Sequence, residues 1–161
     1  MQLGRERQRI LVGVDFSPES DAAIRTAIGF ARAFDATITL LHVHELPTMM
    51  NGIVPGADRA TDTHELHDAA LAQLNELVSR LRASDPRALE GGITIATEVA
   101  GGLPAEVILE RARTGKFDLV VVGTHGRTGL RRLLVGSVAE AVIRDATCPV
   151  LTVHLPAAAA G

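Results

Sequence analysis

Cysteine is nearly missing from this chain: Cys148 is the only one. An intrachain disulfide and a cysteine-rich zinc site are therefore excluded, and the apolar setting of Cys148 predicts an inert, buried thiol. Although 47% of residues are hydrophobic, no apolar run approaches the roughly 18 residues of a membrane span. The start, "MQLGRERQR", has no apolar region of a secretory signal, so the expected location is the cytoplasm and no membrane partner is expected. Positive charge is scarce as well. A formal charge of −3 and a pI near 6.0 supply no basic face for nucleic acid, which is excluded as an expected partner. Gly-x-Gly-x-x-Gly after the first strand and the Gly-Lys-Ser/Thr loop are both absent, so dinucleotide and P-loop readings fall away.

What is present is alternation. "RILVGVD" (9–15) reads as a buried strand, and "FSPESDAAIRTAIGFARAF" switches to helical spacing, with Ser17 as N-cap, Pro18 in the first turn and an apolar stripe of Ile24, Ala27, Ile28, Ala31 and Phe34. "TITLLHV" (37–43) is a second strand. Residues 45–60 are too rich in Gly and Pro for a regular element, and a loop of that length suits a lid. Leu66, Ala70, Leu74, Leu77 and Leu81 then repeat at helical spacing until Asp85-Pro86. "GITIATEV" is the third strand, Pro104 opens a helix that Gly115 closes, "DLVVVG" is a strand buried on both faces, Ser137 to about Asp145 is the last helix, and "CPVLTVH" is the last strand.

Five strands alternating with four helices imply βαβ units with right-handed crossovers. The expected fold is α/β, a doubly wound, Rossmann-like five-stranded parallel sheet in the order 3-2-1-4-5 with helices on both faces. With 161 residues, one domain over 1–161 is expected, with flexible tails at 1–8 and 156–161. Such sheets take ligands beyond the carboxyl ends of their strands, where the strand order reverses. Asp15 and Gly123 stand at those ends.

Gly123 opens "GTHGRTGLRRLLVGS", in which glycine at 123 and 126 suits a turn close to a ligand. Gly136-Ser137 meets the mouth of a helix, whose unpaired amides and partial positive charge, from Ser137 onward, suit a phosphate. Ser137 and Glu140 also have the spacing of a capping box, an alternative reading. Arg127, Arg131 and Arg132 read as a solvated basic rim, with direct γ-phosphate contact by one of them the alternative. His42 and His44 alternate to one strand face, and "HELHD" (64–68) lacks the zinc-protease spacing, so no protein metal site is expected.

Gly123, two residues, Gly126, nine residues, Gly136-Ser137 resembles the ATP-binding signature of universal stress proteins. The resemblance extends from "ILVGVDFSPES" through "TLLHVHE" and "GLPAEVILERA" to "HGRTGLRRLLVGSVAEAVIRDATCPVLTV". It implies a site in which Asp15 and the Val43 main chain lie near the adenosine and Val122 and Gly123 beside the ribose and first phosphates. His125, Gly126, Gly136, Ser137 and Val138 would surround the phosphate chain, and magnesium would arrive on the ATP phosphates. Many ATP-binding relatives carry a hydroxyl residue where this chain has Ala139. No catalytic residue is assigned, since no lysine or second carboxylate accompanies Asp15 and His125. The expected function is that of an ATP-binding regulatory stress-response protein. A slow ATP hydrolase and a nucleotide-independent interaction module are the alternatives. The last strand, 149–154, should lie at a sheet edge and pair with its copy in a homodimer, a mode the resemblance also implies.

Overall fold

The computed structural model describes residues 7–45, 59–84, 92–124 and 136–155, with residues 59–62 as backbone only. Five strands, β1 (Arg9–Val14), β2 (Thr37–His44), β3 (Ile95–Gly101), β4 (Leu119–Gly123) and β5 (Val150–Val153), alternate with four helices. These are α1 (Pro18–Phe34), α2 (Arg59–Ser84), α3 (Pro104–Thr114) and α4 (Ser137–Asp145). The sheet is parallel throughout, as the alternation of elements predicts, and has the expected order β3-β2-β1-β4-β5. Strand order reverses between β1 and β4, which are neighbours in the sheet but separated in the chain by three helices and two strands.

The sheet is covered on both faces, and strand alternation divides its side chains between two cores. Ile10, Val12 and Val14 of β1 join Ile38 and Leu40 of β2 under α1 and α2, against Ile24, Ala27, Leu74 and Leu77. Leu11 and Leu41 point the other way, toward Ile108 and Ala112 of α3 and Ala139 and Val142 of α4. Leu11, Ile24 and Leu40 are fully buried, each worth about 1.5–3 kcal/mol relative to exposure.

Local chemistry sets the helix ends. Ser17 caps α1, its hydroxyl accepting the Ser20 N–H at 3.1 Å. At the other end Asp35 takes the left-handed conformation, φ 51°, and is paired with Arg7. Phe34 departs from the expected core stripe: at the last turn of α1 it is 58% exposed, stacked on Phe30. Gly115 is the C-cap of α3, but the left-handed residue there is Lys116 rather than the glycine. Cys148 is half-buried rather than buried, since it sits between α4 and β5 near the sheet edge. Its burial, with the Asp118 charge beside it, pushes the thiol pKa up. Among the described residues no helix is long and apolar enough to cross a membrane.

Candidate functional site

Asp15 is the first residue past β1, where the chain turns into α1. Its Oδ1 accepts the Ser17 N–H at 3.0 Å and the Ser17 hydroxyl at 2.5 Å, an Asx turn that holds the end of the strand against the helix. Phe16, between them, is left-handed at φ 61°, a conformation that costs a non-glycine residue about 1–3 kcal/mol and persists where its surroundings enforce it. Its ring lies 4.6 Å, centroid to centroid, from that of His42. Asp15 thus orders the turn and also faces the opening beyond the strands.

That opening is a cavity of about 620 Å³ over the carboxyl ends of β1, β2 and β4, within the usual size for a small-molecule site. Seven residues expected at a ligand site line it: Asp15, Val43, Val122, Gly123, Gly136, Ser137 and Val138. His125 and Gly126 lie outside the described residues, as do the three arginines at 127, 131 and 132.

At the far wall, α4 begins. Gly136 is its N-cap and Ser137 its first helical residue, so Ser137 and Glu140 do not form the capping box their spacing suggests. That motif needs the serine one position earlier, outside the helix. The Gly136 N–H is committed to the Thr124 carbonyl at 2.6 Å, and the Gly136 carbonyl accepts the Glu140 N–H at 2.9 Å. The amides of Ser137, Val138 and Ala139 are those a helix cannot satisfy internally, and these three residues line the cavity. A helix mouth of this kind attracts an anion by about 0.3–1 kcal/mol per contact. Glu140 is exposed on the outer side of the turn, and Ala139 is 3% exposed, packed into the core beneath.

Gly123 does not form the turn its sequence context suggests. It ends β4 paired with Val153, and it is not among the positive-φ glycines. Glycine is needed there because α1 passes close by: an added Cβ would lie 2.8 Å from Glu19 Cβ. Gly13 has a similar reason, since a Cβ there would meet Ile108 Cδ1 and Val122 Cγ1 at 3.2 Å.

Sequence reasoning did not assign the rest of the lining. Phe16, His42, His44, Leu66, Ala70 and Gln73 form the α2 side, and Pro104 and Ile108 the α3 side. Leu66 carries the apolar stripe of α2 beyond the core and is 43% exposed. That overrun of the stripe past the strand ends was the available signal. His42 Nδ1 lies 2.7 Å from the Val14 carbonyl, bridging β2 to β1. His44 Nδ1 is buried with no hydrogen-bond partner among the described residues, and the His67 ring meets its ring edge-on at 6.3 Å. Burial, then the neighbouring His42 and His67, pull the His44 pKa below its ordinary value. The described lining carries carboxylates at Asp15 and Glu45 and no lysine or arginine. Among the described residues no three His, Cys, Asp or Glu side chains come together as a metal site.

A parallel sheet in this order, with a cavity at its reversal point and a helix mouth opposite Asp15, can be compared with known proteins. A model of the Universal stress protein family matches residues 6–154. The chain belongs to that family. It is 38% identical over 149 residues to Universal stress protein MJ0531 of Methanocaldococcus jannaschii, covering 92% of this chain and 83% of that protein. Among solved structures it is similar to universal stress protein UspA from Lactobacillus plantarum, with a TM-score of 0.73 and 28% identity over 92% of this chain and 99% of that one. It is also similar to a universal stress protein solved in complex with cAMP, with a TM-score of 0.61 and 27% identity over 93% of this chain and 98% of that one.

Proposed function

We propose that this universal stress protein is an ATP-binding regulatory protein of the cytoplasm whose nucleotide occupies the cavity between β1, β2 and β4. The observation that carries the reading is the cavity's position: it lies at the strand-order reversal, with the first-turn amides of α4, which the helix itself does not bond, on its wall. In this reading Asp15 and the Val43 main chain receive the adenosine, and Val122 and Gly123 lie beside the ribose. Gly136, Ser137 and Val138, with His125 and Gly126, enclose the phosphates. The related structure with cAMP supports a nucleotide as ligand. Magnesium comes with the phosphates rather than from a protein site.

ATP acts here as a conformational ligand. Phosphoryl transfer depends on dense positive charge around the transition state, and the described wall carries no lysine or arginine. The protein is further proposed to work as a homodimer joined through 149–154, which the edge position of β5 supports.

Calorimetric titration with Mg-ATP tests the site. Ser137→Asp places a carboxylate on the cavity wall at a helix position where an acidic residue is tolerated or favourable, so the protein should fold while ATP binding is lost. Undiminished ATP affinity in that variant would overturn the reading.

A further inference from the structure

Thr124, the first residue after β4, is 8% exposed and lines the cavity. Three contacts among the described residues tie it to its surroundings. Its N–H donates to the Val153 carbonyl at the end of β5, at 2.9 Å, and its carbonyl accepts the Gly136 N–H that precedes α4, at 2.6 Å. Its hydroxyl lies 3.1 Å from Nδ1 of His154, the exposed residue that follows β5. This last contact is a hydrogen bond in either imidazole tautomer: the hydroxyl donates to a bare Nδ1, or an Nδ1–H donates to the hydroxyl oxygen.

We propose that His154 is a positioning residue. By holding the Thr124 side chain it fixes the Thr124 carbonyl, and through that carbonyl the start of α4, so that the end of the edge strand sets the geometry of the anion-binding end of the cavity. The main chain supports this directly. Thr124 directly follows β4 and Gly136 directly precedes α4, and a hydrogen bond joins the two. A small rotation of Thr124 therefore moves the first amides of α4 relative to Asp15 and Val43. The position of β5 gives the link a use, because whatever pairs with the outer edge of β5 acts on Thr152 and His154 first. Influence is reciprocal: a ligand that tightens α4 also tightens the end of β5.

The test has one arm that depends on the nucleotide reading and one that does not. Hydrogen exchange at the Gly136 amide is measured in the ligand-free protein, and ATP affinity by calorimetry, for the wild type, His154→Ala, His154→Asn, Thr124→Val and the double variant Thr124→Val/His154→Ala. His154→Ala should speed Gly136 exchange and weaken ATP binding by about three- to tenfold each, the loss of one hydrogen bond. Asparagine at 154, whose carboxamide can donate or accept where Nδ1 stood, should restore both. In the Thr124→Val background the alanine should add nothing further. Equal Gly136 exchange in wild type and His154→Ala, or a full alanine effect on the valine background, would overturn the proposal. If the wild type binds no ATP, the nucleotide reading fails while the exchange arm still decides the role of His154.

Discussion

Gly123 and Glu19, at the end of β4 and in the first turn of α1, approach so closely that an alanine methyl at 123 would lie 2.8 Å from Glu19 Cβ and 3.2 Å from its carbonyl carbon. The second contact is with backbone, which a rotamer change cannot relieve. Gly123→Ala should therefore push the start of α1 off the sheet and lower stability by about 1–3 kcal/mol. Because Ser17 and Asp15 share that turn, ATP affinity should fall as well. Gly29→Ala is the control: it sits exposed within α1 with nothing within 4 Å of an added Cβ, and should raise stability by about 0.5–1 kcal/mol. Urea denaturation of the two variants checks both signs, and a neutral Gly123→Ala would show that the contact yields.

The two glycines also mark what a sequence can reveal. "ILVGV" and "DLVVVG" are legible as strands because uninterrupted apolar runs bounded by turn signals have few alternatives, and parallel pairing follows from their alternation with helices. Asp15, Gly136 and Ser137 could be assigned to one site from a strand end and a helix mouth, and Val43 through the family resemblance. The reason for glycine at 123 could not, because it is the approach of Glu19, 104 residues away. Likewise, the serine-to-glutamate spacing at 137 and 140 matches a capping box in any sequence, and only the backbone shows that Gly136 takes the cap. His42 and His44 were legible as sharing a face but not as cavity wall, which requires α2 to overhang the strand ends.

Acid should weaken the fold through His44. Its pKa is lowered by burial and by His42 and His67, so in the window below the ordinary imidazole value of 6.5 the unfolded chain takes up the proton more readily than the folded one. The contribution is fully present above 6.5 and is lost as pH falls through the folded-state value. Unfolding midpoints measured from pH 7.5 down to about 5 should fall more steeply for the wild type than for His44→Gln, which has no titration there. Parallel slopes would remove His44 as the cause.

Ala139 stands at the third helical residue of α4, on the cavity wall, where the resemblance to ATP-binding universal stress proteins implies a hydroxyl residue. Ala139→Ser should strengthen ATP binding by up to about tenfold, one charge-assisted hydrogen bond, against a modest stability loss because the site is 3% exposed. Calorimetry on the variant and the wild type decides it. Unchanged or weaker binding would place the phosphates away from the first turn of α4.

The proposed homodimer makes the most specific demand on β5. The carbonyls of Pro149 and Val153 both accept hydrogen bonds from the β4 side, from Val120 and Thr124. In a parallel ladder alternate residues point to opposite neighbours, so Leu151 also faces β4, while Val150 and Thr152 turn their N–H and C=O outward. No strand pairs with that side among the described residues, and a two-fold partner would bond there in antiparallel register. Leu151→Pro would break the ladder inside the subunit and confuse dissociation with unfolding. Thr152→Pro removes only an outward donor. It should leave the circular dichroism spectrum and the β4 pairing intact while shifting the mass seen by light scattering at micromolar concentration from dimer to monomer. A monomeric wild type under the same conditions, with and without ATP, would refute the edge-strand dimer. A Thr152→Pro protein that stays dimeric would move the interface elsewhere.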